Sequence, residues 1–139
     1  MKNQRYLTQN DASILSKLAE QLLRMGEVEL NAGEELIDII STSVILPINA
    51  PRKDCVSLYS TVSYSPLNSD EKRSITIVCP HDANPQLALI STLTPIGLAL
   101  IGRKVSSTVE VALPSNRSEK IKILDVTPLD SAVGELAHS

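Results

Sequence analysis

Hydrophobic residues at Ile14, Leu15, Leu18, Leu22 and Met25 fall near helical spacing, with Lys17, Glu20, Gln21 and Arg24 elsewhere on the wheel. The pattern predicts a helix to about Met25, capped by Asn10 or Asp11 and stopped by Gly26. Gly26 to Gly33 reads as a turn region. A second helix is expected from near Asn31 to about Thr42, with Leu36, Ile37, Ile40 and Val44 on its apolar face. Two amphipathic helices joined by a turn predict a hairpin whose stripes pack on each other. The alternative is that both lie flat on the following domain.

Pro47 and Pro51, with Asn49 and Arg52 between them, mark a linker. The expected boundary falls near Lys53, giving an arm and linker over 1–53 and a domain with a tail over 54–139. Beyond it the period shortens to two. Val56, Leu58, Val62 and Tyr64 share one face of a strand, with a bulge or break open at Ser60. Further strands are expected over Ser74–Cys79, Leu87–Thr92, Thr108–Leu113 and Lys120–Val126. Pro95 suits the first position of a short helix ending near Gly102, because its missing N–H costs nothing there. Residues after Thr127 read as a loosely held tail. Several strands with one helix among them predict an α+β class: a short helical hairpin, then an antiparallel sheet with one packed helix.

Composition narrows what such a fold can do. The 139 residues contain no Phe, no Trp and three Tyr. The core must come from Ile, Leu, Val and Ala, and stacking platforms for single-stranded nucleic acid lack their aromatics. Net charge is −3, and the excess acid lies in residues 1–50, with four Lys/Arg against seven Asp/Glu. That distribution leaves no basic footprint for duplex nucleic acid. The polar start MKNQRYLTQND is not a secretory segment, and no apolar run is long enough for a bilayer. With Cys55 and Cys79 unpaired by any CxxC spacing, a cytoplasmic protein is expected.

Several apparent chemical signals dissolve on inspection. Gly97-x-x-x-x-Gly102-Arg103-Lys104 looks like a phosphate loop, but the intervening residues belong to a helix whose N–H groups are already bonded. Cys79, His81, Cys55 and His138 lack metal-site spacing, and no third group orients Cys79 and His81 as a nucleophile pair. No G-x-S-x-G elbow occurs. No catalytic residue, metal or cofactor is therefore expected.

One segment carries a resemblance. Ser91, Pro95, Ala99, Leu100, Ile101, Gly102 and Arg103, followed by Val109, Glu110, Val111 and Pro114, resemble the C-terminal domain of the GreA/GreB transcript-cleavage factors. They also resemble that of the short-armed regulator of nucleoside diphosphate kinase. The likeness runs from about Val56 to Val126. It departs at Ser106–Ser107, where the family usually has Gly-Asp, and at Ser115–Asn116, where it has Gly-Gly. The loop His81–Asn84 stands where the family often carries an acidic loop, with Asp82 and Ala83 in common.

The resemblance implies an FKBP-like domain and a non-enzymatic factor that binds RNA polymerase at the rim of its secondary channel. By position it implies Thr94, Pro95 and Ile96 as polymerase contacts, although Pro95 also serves simply to start the helix and Ile96 to fill the core. It implies Glu27, Glu29 and Glu34 as acids at or near the arm's tip. Helices of about 12–15 residues give an arm of roughly 20 Å. That length favours occupation of the channel entrance over stimulated cleavage. Neither sequence-specific nucleic-acid binding nor a membrane partner is implied. A prolyl isomerase would need an aromatic-walled pocket that this composition does not supply. An interaction module acting on nucleotide metabolism is the other alternative. Oligomeric state stays open, since a leucine-rich hairpin can pair with another copy.

Overall fold

The computed structural model describes residues 4–25, 30–47, 54–113 and 116–127. The chain divides into two compact units, Met1–Arg52 and Lys53–Ser139.

The first unit contains strand β1 (Tyr6–Thr8), helices α1 (Gln9–Met25) and α2 (Leu30–Thr42), and strand β2 (Val44–Leu46). The helices form the expected hairpin. Its seam is built from Leu15, Ala19 and Leu22 of α1 and Leu36 and Ile39 of α2, all buried. Gly33 lets the helices approach: a Cβ there would lie 3.2 Å from Leu22 Cβ and 3.3 Å from Leu23 Cδ2. Ile37, expected on the packed face, is instead 44% exposed. The cap also differs from expectation, because Thr8 Oγ1 accepts from the Asp11 N–H at 3.0 Å.

Val44 does not extend the apolar face of α2. Ser41, Thr42 and Ser43 each donate a hydroxyl hydrogen bond to a last-turn carbonyl, at 2.6, 2.9 and 2.5 Å. The helix ends there, and the Val44 N–H crosses to the Arg5 carbonyl at 2.9 Å. Strands β1 and β2 then pair in parallel, Tyr6 with Val44 and Thr8 with Leu46. Neither strand was expected. Leu7 is fully buried between the flanking residues of β1.

The second unit is a five-stranded sheet in the order β5-β4-β3-β7-β6. Its strands are β3 (Thr61–Pro66), β4 (Arg73–Val78), β5 (Leu89–Ser91), β6 (Thr108–Leu113) and β7 (Arg117–Thr127), with helix α3 (Pro95–Leu100) between β5 and β6. Pairing is antiparallel except between β4 and β5. That parallel crossover runs through two 3-10 turns, Pro80–Asp82 and Pro85–Leu87. Leu87, expected in a strand, ends the second turn at 67% exposure, and Ala88 follows with φ 60°.

The first expected strand is shorter than its apolar pattern. Ser60 is buried and closes a turn on Ser57, donating to its carbonyl at 2.7 Å and accepting from its N–H at 3.0 Å. Tyr59 sits inside that turn at φ 69°. Val56 and Leu58 are still buried, held by hydrogen bonds between Val56 and the Gly102–Arg103 backbone at 2.8 Å. In β7 the register against β3 shifts, pairing Ser63 with Asp125 but Tyr64 with Ile123. The bulge lets Ile121, Ile123 and Val126 all point inward despite a spacing that breaks strict alternation. These residues join Val62, Ile77, Leu100, Ile101, Val109 and Val111 in an aliphatic core.

Candidate functional site

Helix α3 begins at a tightly specified junction. The Thr94 hydroxyl accepts from the Gly97 N–H at 3.1 Å and donates to the Ser91 carbonyl at 2.8 Å. Ser91 Oγ accepts from the Leu93 N–H at 3.0 Å. Pro95 occupies the first helical position, where its fixed φ suits the helix. Gly97 is there because of space: a Cβ would come within 2.4 Å of the Ser91 carbonyl oxygen and 2.7 Å of Thr92 Cα. At the other end, Arg103 donates from Nε to the Ala99 carbonyl at 3.3 Å, and burial lowers its pKa from the ordinary arginine value.

This junction brings Thr94, Pro95 and Ile96 together at the start of one short helix. Pro95 is exposed, and Thr94 and Ile96 are half-buried. The Thr94 hydroxyl is committed to the cap, so its methyl group is what it can offer a partner. Leu98, Leu100 and Ile101 are buried in the core. Backbone N–H groups through the glycine-spaced segment are occupied: Leu98 donates to Thr94, Ile101 to Gly97, Gly102 to Val56 and Arg103 to Leu100. A phosphate would find none of these four to bind.

A second polar cluster joins the Tyr59 turn to the first 3-10 turn. The Tyr59 hydroxyl donates to Asp82 Oδ2, and His81 Nε2 lies 3.4 Å from the same oxygen. Burial first, and then the bond to Asp82, raise the Tyr59 pKa above the ordinary tyrosine value. Residues 59 and 82 lie 23 apart, and only the β3–β4 pairing brings them together. The sequence carried no signal for this link beyond the adjacency of His81 and Asp82. Among the described residues, no group of three His, Cys, Asp or Glu is placed to hold a metal ion. Glu34 is exposed on α2, while Glu27 and Glu29 lie outside the described residues.

Residues 51–128 match the family described as "Transcription elongation factor, GreA/GreB, C-term". The chain is 38% identical over 94 residues to transcription elongation factor GreA of Leuconostoc mesenteroides, covering 68% of this chain and 59% of that one. It is 41% identical over 80 residues to GreA of Nautilia profundicola, covering 58% of this chain and 49% of that one. The matched region thus spans about half to three fifths of those relatives' lengths. The solved structure of a GreA/GreB elongation factor from Nitrosomonas europaea superposes with a TM-score of 0.72 at 24% identity. That match covers 91% of this chain and all of that one, and it supports the fold. With its sheet, its Pro-started helix and more than half its length matched by the family, this chain belongs to the GreA/GreB transcription elongation factor family.

Proposed function

We propose that this protein is a transcription factor that binds RNA polymerase at the rim of its secondary channel and modulates elongation or competes there with other Gre factors. The observation that carries the reading is the start of α3. There an exposed proline and two half-exposed neighbours are held rigid by the Thr94 cap and the close Gly97 contact. A small, pre-ordered apolar projection loses little conformational entropy on docking. It acts by occupancy, with no chemistry of its own.

The helical hairpin is the element that would enter the channel, with Glu27, Glu29 and Glu34 as the acids at or near its tip. Helix α1 has 17 residues and α2 has 13, which gives lengths of about 25 Å and 20 Å. An arm this short suits occupation of the entrance better than delivery of acids to the catalytic centre. In that respect the protein aligns with the short-armed regulator of nucleoside diphosphate kinase. The expected compartment is the cytoplasm, where polymerase is found.

Two measurements test this. Purified core polymerase should retain the wild-type chain, and Pro95→Ala with Ile96→Ala should weaken retention at least about tenfold. Thr94→Ser, which keeps the cap oxygen, should bind more tightly than Thr94→Ala, which loses about 1 kcal/mol of helix capping. No retention of the wild type at micromolar concentration removes the proposal. In a transcript-cleavage assay on stalled complexes, the wild type should add nothing above background. Cleavage that Glu27→Ala with Glu29→Ala abolishes would refute occupancy.

A further inference from the structure

The carboxyl ends of β4 and β5 leave the sheet side by side. Val78 pairs with Ser91 in the parallel register, and the Thr92 N–H donates to the Val78 carbonyl at 2.8 Å. Beyond Val78 the chain enters the turn Pro80–Asp82, and beyond Ser91 it reaches the start of α3. Tyr59 joins the same end, since its N–H donates to the Ile77 carbonyl. The Tyr59–Asp82 link and the Thr94–Ile96 segment thus spring from adjacent strands, about 5 Å apart at their base. Pro95 is exposed and Ile96 half-buried, so an apolar projection and an exposed carboxylate share one end of the sheet.

The fixed charge at this end has one sign. Residues 57–61, 77–83, 91–97 and 125–127 contain two acids, Asp82 and Asp125, and no Lys or Arg. Arg103 and Lys104 follow the far end of α3, where the Ala99 carbonyl holds Arg103 Nε. His81 is the group here that can become cationic, with Nε2 3.4 Å from Asp82 Oδ2. That same oxygen accepts from the Tyr59 hydroxyl, and Asp82 Oδ1 has no partner among the described residues. Tyr59 holds φ 69°, a costly conformation for a residue with a Cβ, and in it the phenol reaches the carboxylate.

We propose that Asp82, steadied by Tyr59, is the charged half of a docking face whose apolar half is Pro95 and Ile96, and that the polymerase segment seated there carries an apolar side chain with a Lys or Arg beside it. The inference rests on the polymerase contact proposed above and adds the chemistry of the surface that makes it. An acidic partner would meet Asp82 with no fixed cation at this end to offset it, whereas a basic one finds an open carboxylate oxygen. A carboxylate already fixed by a hydroxyl gives up little conformational freedom on docking. Asp82 is 44% exposed, so its pairing governs the rate of encounter and the response to salt. The apolar half governs how long the complex lasts.

The test is the kinetics of the full chain binding immobilised core polymerase over about 50 to 500 mM salt. It is run at pH 8, above the range in which an imidazole ordinarily titrates. Wild-type association should slow as salt rises. Asp82→Asn keeps an acceptor for the Tyr59 hydroxyl and removes the charge. It should slow association about five- to tenfold at low salt, flatten the salt response and leave dissociation little changed. Asp82→Lys should slow association further, by about a hundredfold. Pro95→Ala with Ile96→Ala should instead speed dissociation. Circular dichroism should match the wild type for both Asp82 variants, because the side chain lies in an exposed turn. A wild type that polymerase does not bind removes the docking site and this inference together. A bound wild type whose association and salt response the Asp82 variants leave unchanged overturns the charged half alone. Faster association of Asp82→Lys overturns it too, since the partner would then be acidic.

Discussion

Two glycine contacts among the described residues, one in each unit, show two kinds of packing. At the start of α3, Gly97 faces backbone: the Ser91 carbonyl oxygen and Thr92 Cα stand where a methyl group would go. In the hairpin, Gly33 faces side chains, with Leu22 Cβ and the ends of Leu23 nearest. Backbone in a hydrogen-bonded strand end cannot retreat without breaking its own bonds, whereas Leu23 can change rotamer and the Leu22 Cβ contact at 3.2 Å is relieved by a small shift between the helices. The sheet unit therefore fixes the position of its helix start, while the hairpin can adjust. A rigid junction suits a docking point, and an adjustable one suits a surface that repacks against a partner.

The same substitution at both positions separates the two cases with the largest expected effect. Gly97→Ala should destabilise the sheet unit by about 3 kcal/mol, because overpacking against backbone forces the helix and strand apart. Gly33→Ala should fall within about 1 kcal/mol of wild type. The gain of about 1 kcal/mol in helix propensity offsets the crowding against Leu22 and Leu23, which a small shift of the helices and a turn of the Leu23 side chain relieve. Urea unfolding of each variant, followed by circular dichroism, measures both. Equal losses at the two positions would remove the distinction between the units.

How far these features could be read from the residues follows the same division. Strand β6 has the bounds its alternation predicts, and α3 begins at Pro95, the first helical position expected for it. Both signals are local, within a few residues of the structure they specify. The features that escaped detection depend on distant partners. Strands β1 and β2 are three residues each and exist only by pairing across the whole hairpin. Nothing near Tyr6 or Val44 marks them, so Val44 read as the end of a helical stripe. At Ser60, where the apolar face is interrupted, the expected break is present, but the Ser57–Ser60 bonds and the left-handed Tyr59 within the turn carried no sequence signal. The bulge in β7 is set by β3. Of the site, the helix start at Pro95 was legible, but the cap at Thr94 and the Tyr59–Asp82 link were not, the latter because its members meet only after β3 and β4 have paired.

That link tests whether rigidity in the sheet unit extends from the α3 junction to the outer turns. Tyr59→Phe removes the hydroxyl donated to Asp82 and should cost about 1 kcal/mol at neutral pH. Burial and the Asp82 bond hold the phenol above its ordinary value of 10.0, so the fold favours the neutral form. The contribution is therefore present in full below about pH 10 and is lost as pH rises through the higher folded value. Stability of the wild type should fall toward that of Tyr59→Phe in strong alkali, and the two curves should run parallel below pH 9. Curves that differ by the same amount throughout would show that the hydroxyl matters by packing alone.

The smallest expected effect asks whether the α3 junction is held by shape or by polar bonds. Thr92 is fully buried beside Gly97, its N–H donates to the Val78 carbonyl at 2.8 Å, and its hydroxyl has no hydrogen-bond partner. A buried hydroxyl without a partner keeps its desolvation cost and returns nothing. Thr92→Val keeps the branched shape and removes only that cost, so stability should hold or rise by up to about 1 kcal/mol. A parallel Thr92→Ser variant should lose about 1 kcal/mol, because it deletes the packed methyl group and keeps the unpaired oxygen. If valine were instead the worse of the two, the hydroxyl would have a polar role. The Gly97 contact would then owe its rigidity to hydrogen bonding rather than to close packing.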